Sequence, residues 1–244
     1  MASGDEVIQV RAKDVPVVYV ATIYRKYPVV LVVPEDSDVQ SIADISGEQV
    51  GLPGEYGANW IGLLALLDAG DLTTDDISTE SIGFTQASAL LTGQVDAVMG
   101  YVNNEPIQIE KAGMPVRTFS VSDVSPLVAN GLVATDDYLE ERPDIVRAVI
   151  EATLRGVQYA IDNPEETVEI AEDYVPTLID DEQRQSALEV LQATLPLWEV
   201  ENGGKLGDGD PADWEAMGAF LLEHGLLDRE VDVDEVFNLD YLPE

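Results

Sequence analysis

The chain has 244 residues, 45% of them apolar, which is enough for a sizeable core and for one or two globular lobes. Its 48 acidic residues against 12 basic ones give a formal net charge of −36. That excludes nucleic acid as a partner, because such binding rests on phosphate neutralisation by Lys and Arg. With no Cys, disulfides, thiolate metal sites and thiol catalysis are excluded as well.

The acidic residues are spread along the chain rather than gathered in a tail. At low salt such a surface repels itself and opposes compaction. Molar salt shortens the screening length to about 3 Å and removes much of that cost. The pattern is the one expected of adaptation to a very salty medium; a cation-binding role would call for a carboxylate cluster, and none stands out. Mean hydropathy is close to zero, so composition does not predict disorder. No apolar run approaches the roughly 20 residues that cross a bilayer. No basic stretch followed by an apolar one marks a signal peptide.

Taken in order, Ser3 and Glu6 have capping-box spacing and start a short helix over 5–12. The β-rich runs 15–23 and 29–33 are bounded by Pro16, Pro28 and Pro34. Residues 34–39 are polar and read as a crossing between lobes. Strand 49–52 leads to a helix over 58–69, stopped by Gly70. Strand 79–82, helix 85–92, strand 97–100, helix 105–112 and strand 116–119 complete a module of alternating strands and helices, which argues for a parallel sheet. Residues 121–130 read as a second crossing and 131–135 as a strand. The remainder is helical: 143–162, 164–174, 180–194 and, after Asp210-Pro211, a helix ending at Gly225. The stretch 202–209 reads as a Gly-rich loop. Two crossings between two lobes make a hinged cleft.

Three turns of the module carry Gly with polar or aromatic residues, and each opens a helix. They are Pro53-Gly54-Glu55-Tyr56-Gly57-Ala58-Asn59-Trp60, Gly83-Phe84-Thr85-Gln86, and Gly100-Tyr101-Val102-Asn103-Asn104-Glu105-Pro106. In a parallel sheet they would meet outside the carboxyl ends of the strands, where ligands bind.

On Arg11 to Val18, Asp44-Ile45-Ser46-Gly47, Gly51-Leu52-Pro53, Ile82 to Gln86, Leu90 to Ala97, Gly100 to Pro106, Asn163 to Glu166 and Trp198, the chain resembles the NMT1/THI5-like family of ABC-transporter substrate-binding proteins. The resemblance spans nearly the whole chain. It implies an α/β, two-lobed, type II periplasmic-binding-protein-like fold with parallel-sheet lobes joined by a two-segment hinge. Lobe I would be 1–36 with 120–244, and lobe II 37–119. It also implies a signal peptide, a lipoprotein-type anchor and a first strand–helix segment ahead of Met1, so lobe I is expected to be incomplete. The expected setting is the cell surface, the expected partners an ABC permease with its ATPase, and the expected state a monomer. No cofactor or metal is implied.

The ligand-binding candidates are Tyr56, Asn59, Trp60, Thr85, Gln86, Tyr101, Asn104, Glu105 and Trp198. Free N–H groups at a helix start suit an anion or a carbonyl. Tyr56, Trp60 and Tyr101 could stack on a planar heterocycle, and Asn59, Thr85, Gln86 and Glu105 could bond its edge. Each has a structural alternative: Trp60 and Trp198 as core, Thr85 as a helix cap, and Glu105 as a charge favourable at a helix start. The scarcity of Lys and Arg near the turns argues against an obligate anion. A thiamine pyrimidine precursor is therefore the expected solute, with riboflavin, or nitrate, sulfonate or taurine, as alternatives. The family also includes pyrimidine-synthesising enzymes with Cys- and His-rich motifs, and this chain, with no Cys and only His224, departs from them. Asp208-Gly209-Asp210 and Asp213 read as a turn and N-cap rather than a calcium loop.

Overall fold

The computed structural model describes residues 1–200 and 204–243, so 201–203, which include the start of the expected Gly-rich loop 202–209, and 244 lie outside the described residues. The chain forms two compact units, one of Met1–Lys26 with Val128–Glu244 and one of Tyr27–Leu127.

Helix α1 (Gly4–Arg11) opens the first unit, with the Ser3 N–H donating to Glu6 Oε2 at 3.0 Å. Strand β1 (Val17–Thr22) follows. The second unit begins with β2 (Val29–Pro34), then β3 (Gln49–Leu52), α2 (Gly57–Ala69), β4 (Ser78–Ser81), α3 (Gln86–Leu91), β5 (Ala97–Tyr101), α4 (Glu105–Lys111) and β6 (Val116–Ser120). The chain returns to the first unit as β7 (Gly131–Thr135), α5 (Asp136–Glu141), α6 (Pro143–Asp162), α7 (Pro164–Ala171), α8 (Asp181–Trp198), α9 (Pro211–Glu223) and α10 (Val233–Val236).

The second unit is a five-stranded sheet in the order β4-β3-β5-β2-β6. β3 runs parallel to β4 and β5, whereas β2 is antiparallel to both β5 and β6. The sheet is mixed, which corrects the expectation of parallel-sheet lobes. β2 enters without a strand–helix–strand crossover, so nothing forces it parallel. It is a near-continuous apolar run, Val29 to Val33, with no more than 1% exposure at any position, as a strand covered on both faces should be. α2 lies close on one face: a methyl on Gly62 would come within 2.7 Å of Val29 Cγ1.

This placement also moves the boundaries expected from sequence. Residues 27–36 and 120–127 belong to the second unit, not the first, because β2 pairs with β5 and β6 there. The polar stretch after Pro34 is thus a connection inside that unit.

The first unit holds a two-stranded antiparallel sheet, β1 with β7, again not parallel. α6 covers it with Val146, Ile150, Leu154 and Val157, spaced at the helical period, against Val18, Val20 and Ala21. Tyr19 is fully buried among rings, 4.9 Å from Trp214 edge-on, while Trp214 stacks on Phe237 at 5.2 Å. Burial pushes the Tyr19 hydroxyl well above its ordinary value, and it donates to the Ala129 carbonyl at 3.2 Å. Asp210 accepts from the Ala212 N–H at 2.9 Å, the N-cap expected of it. α8 runs through Pro196, past the expected end at 194.

Two single-turn 3-10 helices, Ile42–Ile45 and Thr74–Asp76, are closed by carboxylates. Asp44 Oδ2 accepts from the Ser41 hydroxyl (2.8 Å) and from the Ser41 (2.7 Å) and Gln40 (3.1 Å) N–H groups. Asp76 Oδ2 accepts from the Thr73 N–H (2.8 Å) and hydroxyl (2.9 Å). These bonds hold both carboxyls below the ordinary aspartate value, the Ser41 hydroxyl leading for Asp44 and the Thr73 N–H for Asp76. A depressed folded-state pKa adds stability above the ordinary value and loses it as pH falls through the depressed one. Asp44→Ala should therefore lower the urea midpoint at neutral pH in molar KCl. The gap to the unsubstituted chain should close as the pH drops below the ordinary aspartate value of 3.8. A gap that persists there would contradict this account.

Candidate functional site

β3, β4 and β5 run the same way, so their carboxyl ends share one edge of the second unit's sheet. Eight of the nine candidate residues sit on the loops or first turns that leave this edge: Tyr56, Asn59, Trp60, Thr85, Gln86, Tyr101, Asn104 and Glu105. Trp198 is in the other unit, at the end of α8, and packs against the cluster that includes Val18, Ile150 and Leu154. Its indole Nε1 is buried without an acceptor.

The β3–α2 loop turns at once after Leu52. The Tyr56 N–H donates to the Gly54 carbonyl at 2.8 Å, and Tyr56, 63% exposed, is the N-cap of α2. Its side chain caps nothing, so it leaves the first-turn N–H groups to other acceptors. Gly57, at φ 65°, lets the chain turn from that extended residue into the helix. Asn59 lies in the first turn, 8% exposed, and its Oδ1 has no hydrogen-bond partner. Trp60 is half-buried.

The β4–α3 loop uses Gly83 at φ 61°, and the Thr85 hydroxyl donates back to the Ile82 carbonyl at 2.7 Å. Thr85 thus closes its own turn from an exposed position, while Gln86 is buried. Phe84 between them is 84% exposed. Phe84 is not among the candidates the sequence marks, although a large apolar residue set directly after a turn glycine is a signal for it.

The β5–α4 loop is closed by its own acid. Glu105 Oε2 accepts from the Tyr101 N–H at 2.7 Å, and Oε1 accepts from Asn104 Nδ2 at 2.8 Å. Asn104 Oδ1 in turn accepts from Gln108 Nε2 at 2.6 Å. Glu105 is 8% exposed and lies across Gly100, where a methyl would come within 2.6 Å of its Oε2. Glu105 and Asn104 therefore hold the loop, in which Tyr101, Val102 and Asn103 are half-buried. In the second unit only Lys26's successors Lys111 and Arg117 are basic, and Arg117 donates to the Val39 (2.8 Å) and Glu35 (3.0 Å) carbonyls. No Lys or Arg lies in any of the three loops.

If Glu105 is the staple, Glu105→Ala should destabilise the chain by about 1–3 kcal/mol, the cost of orphaning its donors. Gly100→Ala should destabilise the unsubstituted chain by crowding that carboxylate and be nearly neutral beside Glu105→Ala. Urea unfolding of both single variants and the double variant checks this, and simple additivity would refute it.

Comparison with known proteins gives these features a family. The NMT1/THI5 like family model matches residues 1–167. The riboflavin-binding protein RibY of Chloroflexus aurantiacus is 32% identical over 244 residues, covering 99% of this chain and 69% of that one. The formylaminopyrimidine-binding protein of Halalkalibacterium halodurans is 27% identical, over 96% of this chain and 71% of its own. A 4-amino-5-hydroxymethyl-2-methylpyrimidine phosphate synthase of Legionella pneumophila is 24% identical, over 97% and 73%. Among solved structures, the periplasmic aliphatic sulphonate binding protein SsuA from Escherichia coli superposes with a TM-score of 0.75 at 16% identity, covering 99% of this chain and 76% of that one. With the fold of periplasmic binding proteins and a family match over most of its length, this chain belongs to the NMT1/THI5-like family.

Proposed function

We propose that this chain is the solute-binding component of an ABC importer, and that it holds a small, planar, nitrogen-containing solute at the carboxyl edge of the second unit's sheet. The observation that carries the reading is Asn59, whose amide oxygen is buried and unpartnered in the first turn of α2. A buried acceptor left unpaired costs about 1–3 kcal/mol, and native proteins rarely keep one without a use. A ring N–H or amino group would satisfy it. Aminopyrimidines and the isoalloxazine ring both carry such donors beside acceptors, and the unsatisfied first-turn N–H groups of α2 suit those acceptors. A sulfonate has no donor to offer, and the loops carry no basic residue to neutralise it.

Riboflavin is the first solute to test, because the relative named for binding it is 32% identical over 99% of the chain. The thiamine pyrimidine precursor expected from sequence is the second. Binding rather than synthesis is favoured by the absence of Cys and by a single histidine, His224, which follows α9 far along the chain from the three loops. Delivery to a permease, with its ATPase, places the protein outside the cytoplasmic membrane, and the acidic surface suits a very salty medium.

Calorimetric titration in molar KCl tests the reading. Riboflavin or an aminopyrimidine should bind and an alkanesulfonate should not, and Asn59→Leu should weaken binding by about tenfold or more. The complex should return its ligand unchanged. Binding of the sulfonate alone, or conversion of the pyrimidine, would overturn it.

A further inference from the structure

Phe84 is the most exposed large apolar side chain among the described residues. Its exposure is built in. Gly83 at φ 61° and the Thr85 bond to the Ile82 carbonyl define a closed turn that holds Phe84 outward. An apolar cluster of Leu90, Val95, Val98 and Ile82 forms beside that turn, and Phe84 takes no part in it.

Tyr56 stands 63% exposed at the N-cap of α2. Its ring lies against Gly54, where a methyl would fall 2.3 Å from Tyr56 Cε1 and 2.8 Å from Cδ1. A side chain at this position would push the ring away from its place against the loop. The two loops are also tied side by side. Leu52 is paired with Ser81, the Ile82 N–H donates to the Leu52 carbonyl at 2.9 Å, and the Thr79 hydroxyl donates to Glu55 Oε1 at 3.0 Å. Neighbouring strands are about 4.8 Å apart, so loops leaving them start within reach of the two faces of one ring.

We propose that Phe84 and Tyr56 form a two-ring clamp for a flat heteroaromatic solute, with Gly54 as the positioning residue that seats Tyr56. The proposal rests on the solute-binding reading above and names what selects the solute class: the clamp reads planarity, while Asn59 reads the hydrogen-bonding edge. Stacking is tolerant of substituents, because every aromatic ring offers a π-face, so the clamp would admit a pyrimidine or a flavin and discriminate against an aliphatic solute.

The test uses the full chain in molar KCl, riboflavin as probe and quenching of flavin fluorescence as readout, with an aminopyrimidine titrated by calorimetry as second ligand. Phe84→Ala should weaken riboflavin binding by about tenfold or more. Phe84→Trp should preserve affinity and quenching. Neither should move the melting temperature of the free chain, since the side chain is exposed. Gly54→Ala should weaken binding about as much as Tyr56→Ala, and adding it to Tyr56→Ala should cost nothing more, a pattern that a general loss of stability would not produce. Binding and quenching unchanged in Phe84→Ala would overturn the clamp while leaving the solute-binding reading standing, as would a Gly54→Ala loss that persists without Tyr56. An unsubstituted chain that binds neither heterocycle would overturn both.

Discussion

The candidate site depends on one constraint, the common direction of β3, β4 and β5. Parallel neighbours require a crossover, and each crossover here is a helix, so every strand end at this edge is followed by a loop and a helix start. That arrangement gathers Tyr56, Phe84 and Tyr101 at one edge and points three helix starts the same way. Beyond β5, β2 runs the opposite way and only enters at this edge, whereas β6, antiparallel to β2 in turn, ends there at Ser120.

The loops are held with few ion pairs, which follows from the composition. With 12 basic residues for 48 acidic ones, most carboxylates have no cation to pair with. The fold uses several as acceptors for its own backbone: Glu6 at α1, Asp44 and Asp76 at the single-turn helices, Glu105 at α4, Asp180 at α8 and Asp210 at α9. Except for Glu105, which accepts from the Tyr101 N–H at the end of β5, these carboxylates satisfy N–H groups at helix starts and are favoured there by the helix dipole. They also work in molar salt, where long-range attraction between surface charges is screened. A strongly acidic chain can thus keep well-defined loops, and a site that presents aromatic rings and amides needs no net positive charge.

Much of this was legible in order along the chain. The bounds of β7 and α6 follow from apolar periodicity and Pro143, and the three Gly-bearing turns stand out between short apolar runs. Less legible was the membership of β2. Its apolar run says that both faces are covered, and nothing in it says by which unit or in which direction. The strand direction and the unit boundary are set together by the pairing of β2 with β5 and β6, which its own residues do not specify. The same holds for Trp198, whose type fits a ligand platform or a core equally well until its neighbours are known.

The sequence by itself determined the local features: which segments are strands and helices, where turns fall, that the surface is acidic, and which side chains stand near the strand ends. These follow from short-range sterics and periodicity, which act within a few residues. Only the tertiary structure decided which of those side chains remain available. Glu105 and Asn104 bond each other and their own loop, Thr85 closes its own turn, Asn59 keeps a buried oxygen unpartnered, and Phe84 stays in solvent. Whether a polar group is satisfied depends on atoms brought close by packing and by turn geometry, and residue type and spacing do not specify those distances.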